Sequence, residues 1–186
     1  MSKITWEKVG PENLSDCGIG CLTDPKNQGY RPKVEWLQER FPEGLCFLLF
    51  RDEQNKPLAF LEYVPGEYAW RPVDCEGWVF VHCLWVYSRG QKVGGLGSRL
   101  VQACLAEARQ EGAISVAAMV SEGPWMIRRQ VFLNNGLSAT CRQATMEDYK
   151  SRRWLRSWPL AAESLSDFST LDITLAETPR TTNGLP

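Results

Sequence analysis

Two spacings of hydrophobic residues alternate along the chain, and the switches between them mark out its elements. Ile4 to Val9 alternates as a short strand does, and Gly10-Pro11 ends it before a short helix running from Glu12 toward Cys17. After a loop of turn residues, Thr23 to Gly29, the residues Val34, Leu37 and Phe41 fall at helical spacing with Trp36 beside them; Pro42 and Gly44 close that helix. Leu45 to Arg51 and Leu58 to Val64 flank the polar turn Asp52 to Lys56, which predicts an antiparallel hairpin. Pro65 to Asp74 carries Tyr68, Trp70 and two prolines and reads as an ordered aromatic loop. Trp78 to Tyr87 is a nearly continuous apolar run broken only by His82, the pattern of a central strand covered on both faces. From Gly97, the residues Leu100, Val101, Cys104, Leu105 and Ala108 mark a long amphipathic helix that Gly112 stops. Ile114 to Val120 reads as a buried strand, and Pro124 as the first residue of a further helix that Asn134-Asn135-Gly136 ends.

The order is strand, two helices, hairpin, strand, helix, strand, helix, an α/β layer arrangement. Residues 137–143 and 170–176 are expected to form the last two strands, with a helix from Met146 to Trp158 between them. The expected division is a core over 1–143, a carboxyl-terminal helix and closing strand over 144–177, and a disordered tail over 178–186.

Composition narrows the function classes. A chain of 186 residues with 44% hydrophobic content buries one proper core and fits one domain. A net charge of -1 gives no global pull toward nucleic acid or anionic membrane, so an anion site must be made locally. No apolar run approaches the ~18 residues that span a bilayer, and the amino terminus is polar, so a cytoplasmic protein with no membrane or nucleic-acid partner is expected. Cys46, Cys83 and Cys104 lie in apolar segments as reduced core thiols do, which argues against a disulfide framework.

The chemistry concentrates in the turn Lys92-Val93-Gly94-Gly95-Leu96-Gly97-Ser98, between a strand and a helix. Successive glycine N–H groups converge there without side chains in the way, and the helix dipole favours an anion such as a pyrophosphate. A P-loop would need Gly-Lys-Ser/Thr, whereas Gly97 is followed by Ser98 and Arg99; a dinucleotide fingerprint needs a third glycine where Leu100 sits, although Glu122 imitates its acidic ribose ligand. A glycine turn that only permits tight packing is the plainest alternative.

The spacing Lys92-x-x-Gly95-x-Gly97, in this strand-turn-helix context, resembles the cofactor motif of the GNAT acyltransferases, and the order of elements from Ile4 to Gly136 is similar to theirs. Phe60 to Val73, with its Glu62-Tyr-Val-Pro65 core, and His82-Cys-Leu-Trp-Val86 resemble the YoaP-like branch of that superfamily over roughly residues 12–137. The resemblance implies a mixed, mainly antiparallel sheet flanked by helices. It also implies two central strands that splay into a wedge for acetyl-CoA, between the strand ending at Trp85-Val86 and the one ending at Val120. The main chain of Leu84, Trp85 and Val86 would pair with the pantetheine arm, and Lys92, Val93, Gly94, Gly95, Leu96, Gly97 and Ser98 would hold the pyrophosphate. Two departures stand out. The turn from Ser88 is longer than the usual one, and the tyrosine that commonly protonates the departing thiolate is Phe132, a position still expected beside the cofactor.

Acetyl transfer requires a neutral amine, so a base is expected within reach of the acetyl carbon. Glu62, Glu67, Asp74 and His82 are the options; Glu62, which interrupts an apolar strand, comes first and His82 second, each set against an ordinary place on a strand face or in the core. Cys17 and Cys21 read as buried thiols rather than a soft-metal pair, Trp70 and Trp125 as core or as an acceptor wall, and Lys150 to Arg156 as a solvated helix face. The expected partner is a small-molecule or peptide amine, and a homodimer is compatible with the composition. The competing class is a non-catalytic acyl-CoA sensor that kept the turn and lost the acid, which Phe132 permits.

Overall fold

The structure is a computed structural model of the chain that describes residues 4–21, 24–71, 73, 75–120, 127–141 and 174–177. Its centre is a five-stranded sheet whose spatial order follows the chain: β1 (Thr5–Val9), β2 (Cys46–Arg51), β3 (Pro57–Pro65), β4 (Val79–Val86) and β5 (Val116–Ala118). The first three pairings are antiparallel and β4 with β5 is parallel, giving the mixed, mainly antiparallel sheet the resemblance implies.

Both faces of the sheet are covered. α4 (Leu96–Gln110) and α5 (Arg129–Leu133) pack on one face, where Leu100, Val101, Cys104 and Phe132 meet Leu48, Leu61, Val81 and Ala118. α1 (Leu14–Cys17) and α2 (Tyr30–Arg40) pack on the other, where Leu14 and Leu37 meet Phe47, Phe60, Phe80 and Ala117. Alternation along each strand supplies the two faces, which is why β2 to β4 read as continuous apolar runs. Polar ties fix the layers. The Tyr63 hydroxyl donates to Glu107 on α4, and the Arg51 guanidinium donates to Glu7 at 2.6 Å and to the Cys17 carbonyl at 3.0 Å, holding the end of α1 to the hairpin. No helix among the described residues is long and apolar enough to cross a membrane.

The structure departs from expectation at four places. A short helix, α3 (Ser88–Gln91), folds up the long turn after β4, and a Cβ on Gly90 would stand 2.1 Å from the Leu58 carbonyl oxygen, so only glycine allows this approach. β5 stops at Ala118, not Val120; Met119 and Val120 stay buried but lie beyond the last pair, Val81 with Ala118. α5 begins at Arg129, because Arg128 is extended (φ -72, ψ 133) and interrupts the expected helix; its expected start at Pro124 lies outside the described residues. The last strands, β6 (Ser138–Cys141) and β7 (Thr174–Glu177), pair antiparallel, and β7 reaches one residue past the expected end at 176; residues 142–143 and 170–173 of the expected strands lie outside the described residues. The expected helix from Met146 to Trp158 and the tail from 178 lie outside the described residues.

Candidate functional site

The pairing of β3 with β4 contains a slip in register. Val81 faces Tyr63 and Cys83 faces Glu62, so His82 is an extra residue on β4. A bulge of this kind bends a strand and re-aims its side chains. Phe80 belongs to the α2-side core, and both His82 and Cys83 lie against that same side, where unbroken alternation would have placed only one of them. The bend coincides with the end of the β4–β5 ladder. From His82 to Val86, β4 is paired with β3 alone among the described strands, because the ladder to β5 ends at Val81 and Ala118. Leu84 and Val86 rest on the α4-side core, whereas Trp85 is 42% exposed.

The glycine turn stands at the end of this strand. Gly94 (φ 76) and Gly95 (φ 66) are both left-handed, and Gly95 is the N-cap of α4. A Cβ on either would meet nothing within 4 Å, so this stretch of backbone is open and not a packing joint. Gly97 differs: its Cβ would stand 3.3 Å from Val131 and 3.6 Å from Leu84, where α4, α5 and β4 converge. The plain packing role therefore holds for Gly97 and fails for Gly94 and Gly95. The first-turn N–H groups of Leu96, Gly97 and Ser98 have no carbonyl to bond within the helix, and the dipole adds positive potential there. The side chain of Leu96 is buried, Lys92 and Val93 are exposed, and the Ser98 hydroxyl accepts from Asn135 at 3.1 Å, tying the end of α5 to the turn. A helix start with open glycines beside it suits a pyrophosphate.

On the α2 side the polar groups form a chain of contacts. Glu62 is buried at 3% exposure, and the Lys33 ammonium donates to its two oxygens at 3.0 and 3.2 Å. The same ammonium lies 3.9 Å over the Trp36 ring. Trp36 meets Trp70 edge to face at 4.4 Å, and Trp70 stacks on His82 with ring centroids 3.2 Å apart and planes at 2°. The Trp70 main-chain N–H reaches His82 Nε2 at 3.4 Å. Burial first, then the charges of Arg71 and Lys33, push the imidazole well below its ordinary 6.5, so it is neutral and a poor base. Burial likewise pushes the Cys83 thiol up to about 12, with the Glu62 charge adding to the effect, which removes it as a nucleophile.

The structure thus gathers Glu62, His82 and the strand from Leu84 to Val86 at the bulge, with the turn from Lys92 to Ser98 at the end of the same strand. It sets Phe132 apart. That ring is 1% exposed inside the α4-side core and offers almost no surface to a cofactor, because α5 is short and turns this position inward. Glu67 is exposed on the following loop. Asp74, Glu122, Trp125 and the basic run 150–156 lie outside the described residues. Among the described residues no group of three or more His, Cys, Asp or Glu is placed to hold a metal. Sequence reasoning missed Lys33; its separation of three from Trp36 on a helix, which puts the two on one face, was the available signal.

Comparison with known proteins follows the same lines. The model of the acetyltransferase (GNAT) family matches residues 18–124. An uncharacterized N-acetyltransferase of Bacillus subtilis, YoaP, is 28% identical over 140 residues, covering 73% of this chain and 54% of the relative, so the chain spans about half the length of the curated relative it matches. Among solved structures, an aminoglycoside antibiotic 6'-N-acetyltransferase of Acinetobacter baumannii superposes with a TM-score of 0.59 at 18% identity, covering 77% of this chain and 96% of that one. The Salmonella typhimurium protein yncA, solved with its cofactor acetyl-CoA, superposes with a TM-score of 0.57 at 15% identity over 98% of this chain and 97% of that one. These likenesses establish the fold.

Proposed function

Because the chain belongs to the acetyltransferase (GNAT) family, we propose that it moves an acetyl group from acetyl-CoA to a primary amine on a small molecule or peptide. The observation that carries this reading is the pair of open left-handed glycines, Gly94 and Gly95, at the start of α4, where the chain comes off β4 and α3. Main-chain N–H groups from Gly95 to Ser98 hold the pyrophosphate, with Lys92 and the exposed edge of Val93 flanking it. The main chain from Leu84 to Val86 lines the pantetheine arm. A structural neighbour solved with acetyl-CoA supports the choice of donor.

Glu62 takes the proton from the acceptor, directly or through one water. The amine nitrogen then attacks the thioester carbonyl, a C–N bond forms, the C–S bond breaks and the thiolate leaves. A thiol resembling cysteine, with a pKa of about 8.5, leaves as an anion without a strong acid, so the missing hydroxyl at Phe132 does not block the reaction. Cys17, Cys46, Cys83 and Cys104 are reduced thiols, in keeping with a cytoplasmic setting. The test is thiol release with a broad amine panel beside acetyl-CoA calorimetry. Glu62→Gln should bind acetyl-CoA as wild type does and turn over roughly 100-fold more slowly. Tight binding with no amine-dependent release would favour the second reading, an acyl-CoA sensor, which the buried phenyl ring at Phe132 keeps open.

A further inference from the structure

We propose that the acceptor is an amine that also carries a carboxylate, and that Arg71 together with the Nδ1–H of His82 binds that carboxylate; this rests on the transferase reading above. The imidazole of His82 accepts the Trp70 main-chain N–H at Nε2, so in the neutral ring the proton sits on Nδ1. That Nδ1 is enclosed and has no hydrogen-bond partner among the described residues. An enclosed donor left unmet is costly, and it persists where a ligand supplies the acceptor. The ring cannot turn away to find another partner, because it is stacked on Trp70 and held edge-on by Phe80 at 4.7 Å.

The surrounding charge says which acceptor fits. Lys33 is matched by Glu62, but Arg71, the residue after Trp70 and only partly buried, makes no ion pair among the described residues. Its charge bears on the same imidazole. Water would satisfy the Nδ1–H without drawing on the charge of the guanidinium. A carboxylate answers both, since one group accepts a forked pair of bonds from arginine and a further bond from imidazole. The placement suits an acceptor. Glu62 pairs with Cys83, the residue after His82, and both His82 and Cys83 lie against the α2 side, so the base for the amine and the imidazole that would bind the carboxylate share one face of the sheet at the bulge. An amino acid presents the two groups this arrangement complements.

The experiment uses the full chain with acetyl-CoA and a panel of α- and ω-amino acids, each beside its carboxamide and its decarboxylated amine, with kcat/KM and ligand-observed NMR in the presence of CoA as readouts. Amino acids should be preferred by roughly tenfold or more over both analogues. Arg71→Gln should abolish that preference, Arg71→Lys should restore part of it, and His82→Phe, which keeps a ring on Trp70 and removes the donor, should weaken it. The carboxylate site is overturned if acids and carboxamides bind and react alike in wild type, if no panel acid binds, or if the preference survives Arg71→Gln in a protein that melts as wild type does. Acetyl-CoA calorimetry on the same preparations separates the two failures: intact cofactor binding leaves the transferase reading standing, whereas its absence removes both.

Discussion

The Lys33 ammonium reaches both oxygens of Glu62, and the two side chains are only 13% and 5% exposed. This pair joins α2 to β3 at the bulge, so the candidate base is held by a helix on the far side of the sheet from the glycine turn. Removing one partner leaves the other charge enclosed and uncompensated. Glu62→Gln and Lys33→Met should each destabilise by about 3 kcal/mol, and the double variant by clearly less than the sum. Urea denaturation of the four proteins measures this coupling. Additive losses would mean that the two groups act independently.

Gly95→Glu separates cofactor binding from folding. The Cβ meets open space, so nothing has to move, and the left-handed backbone costs about 1–2 kcal/mol. The carboxylate faces the anion site. Calorimetry should show acetyl-CoA affinity falling by at least about tenfold, while circular dichroism shows a folded chain with a lowered melting point. Gly97 is the wrong place for this test, because a side chain there would press on Val131 and Leu84.

The chain has a single histidine, so one pH dependence can be assigned without ambiguity. His82 has a folded pKa well below its ordinary 6.5, first through burial and then through Arg71 and Lys33. Between the two values the unfolded chain binds the proton and the folded chain does not, so stability rises with pH across that window. The contribution is fully present above the unfolded value and is lost as pH falls toward the folded one. Urea denaturation from about pH 7.5 down to about pH 5 should show falling stability, with a reduced slope in His82→Phe. An unchanged slope in that variant would place the titration elsewhere.

Phe132→Tyr tests the place of α5. A tyrosine hydroxyl at this 1% exposed position would be buried in an apolar cluster. The variant should lose about 1–3 kcal/mol of stability and keep its acetyl-CoA affinity within a few-fold. A rise in turnover without loss of stability would show that the position faces the cofactor after all.

Much of this architecture was legible in the sequence, and the limits have physical causes. Cys46–Arg51, Pro57–Pro65, Val79–Val86 and Leu96–Gln110 fall within a residue or so of where apolar periodicity puts them, because each element buries a face or both. Periodicity reports burial and not pairing, so β5 was drawn to Val120 when its ladder stops at Ala118. A single extra residue leaves no mark in a run as apolar as Val79 to Val86, and the bulge at His82 was invisible for that reason. The glycine turn was legible because left-handed backbone demands glycine at 94 and 95. Lys33 and Arg71 were not, since each acquires meaning only from residues brought to it by α2 and by the loop after β3.

The most direct test of the central claim is acetyl-CoA-dependent thiol release measured across a broad amine panel, in wild type and in Gly95→Glu side by side. The account predicts that at least one amine raises release well above hydrolysis in wild type and that Gly95→Glu loses this release at subsaturating acetyl-CoA. Release that no amine stimulates, or amine-stimulated release that Gly95→Glu retains in full, would contradict it.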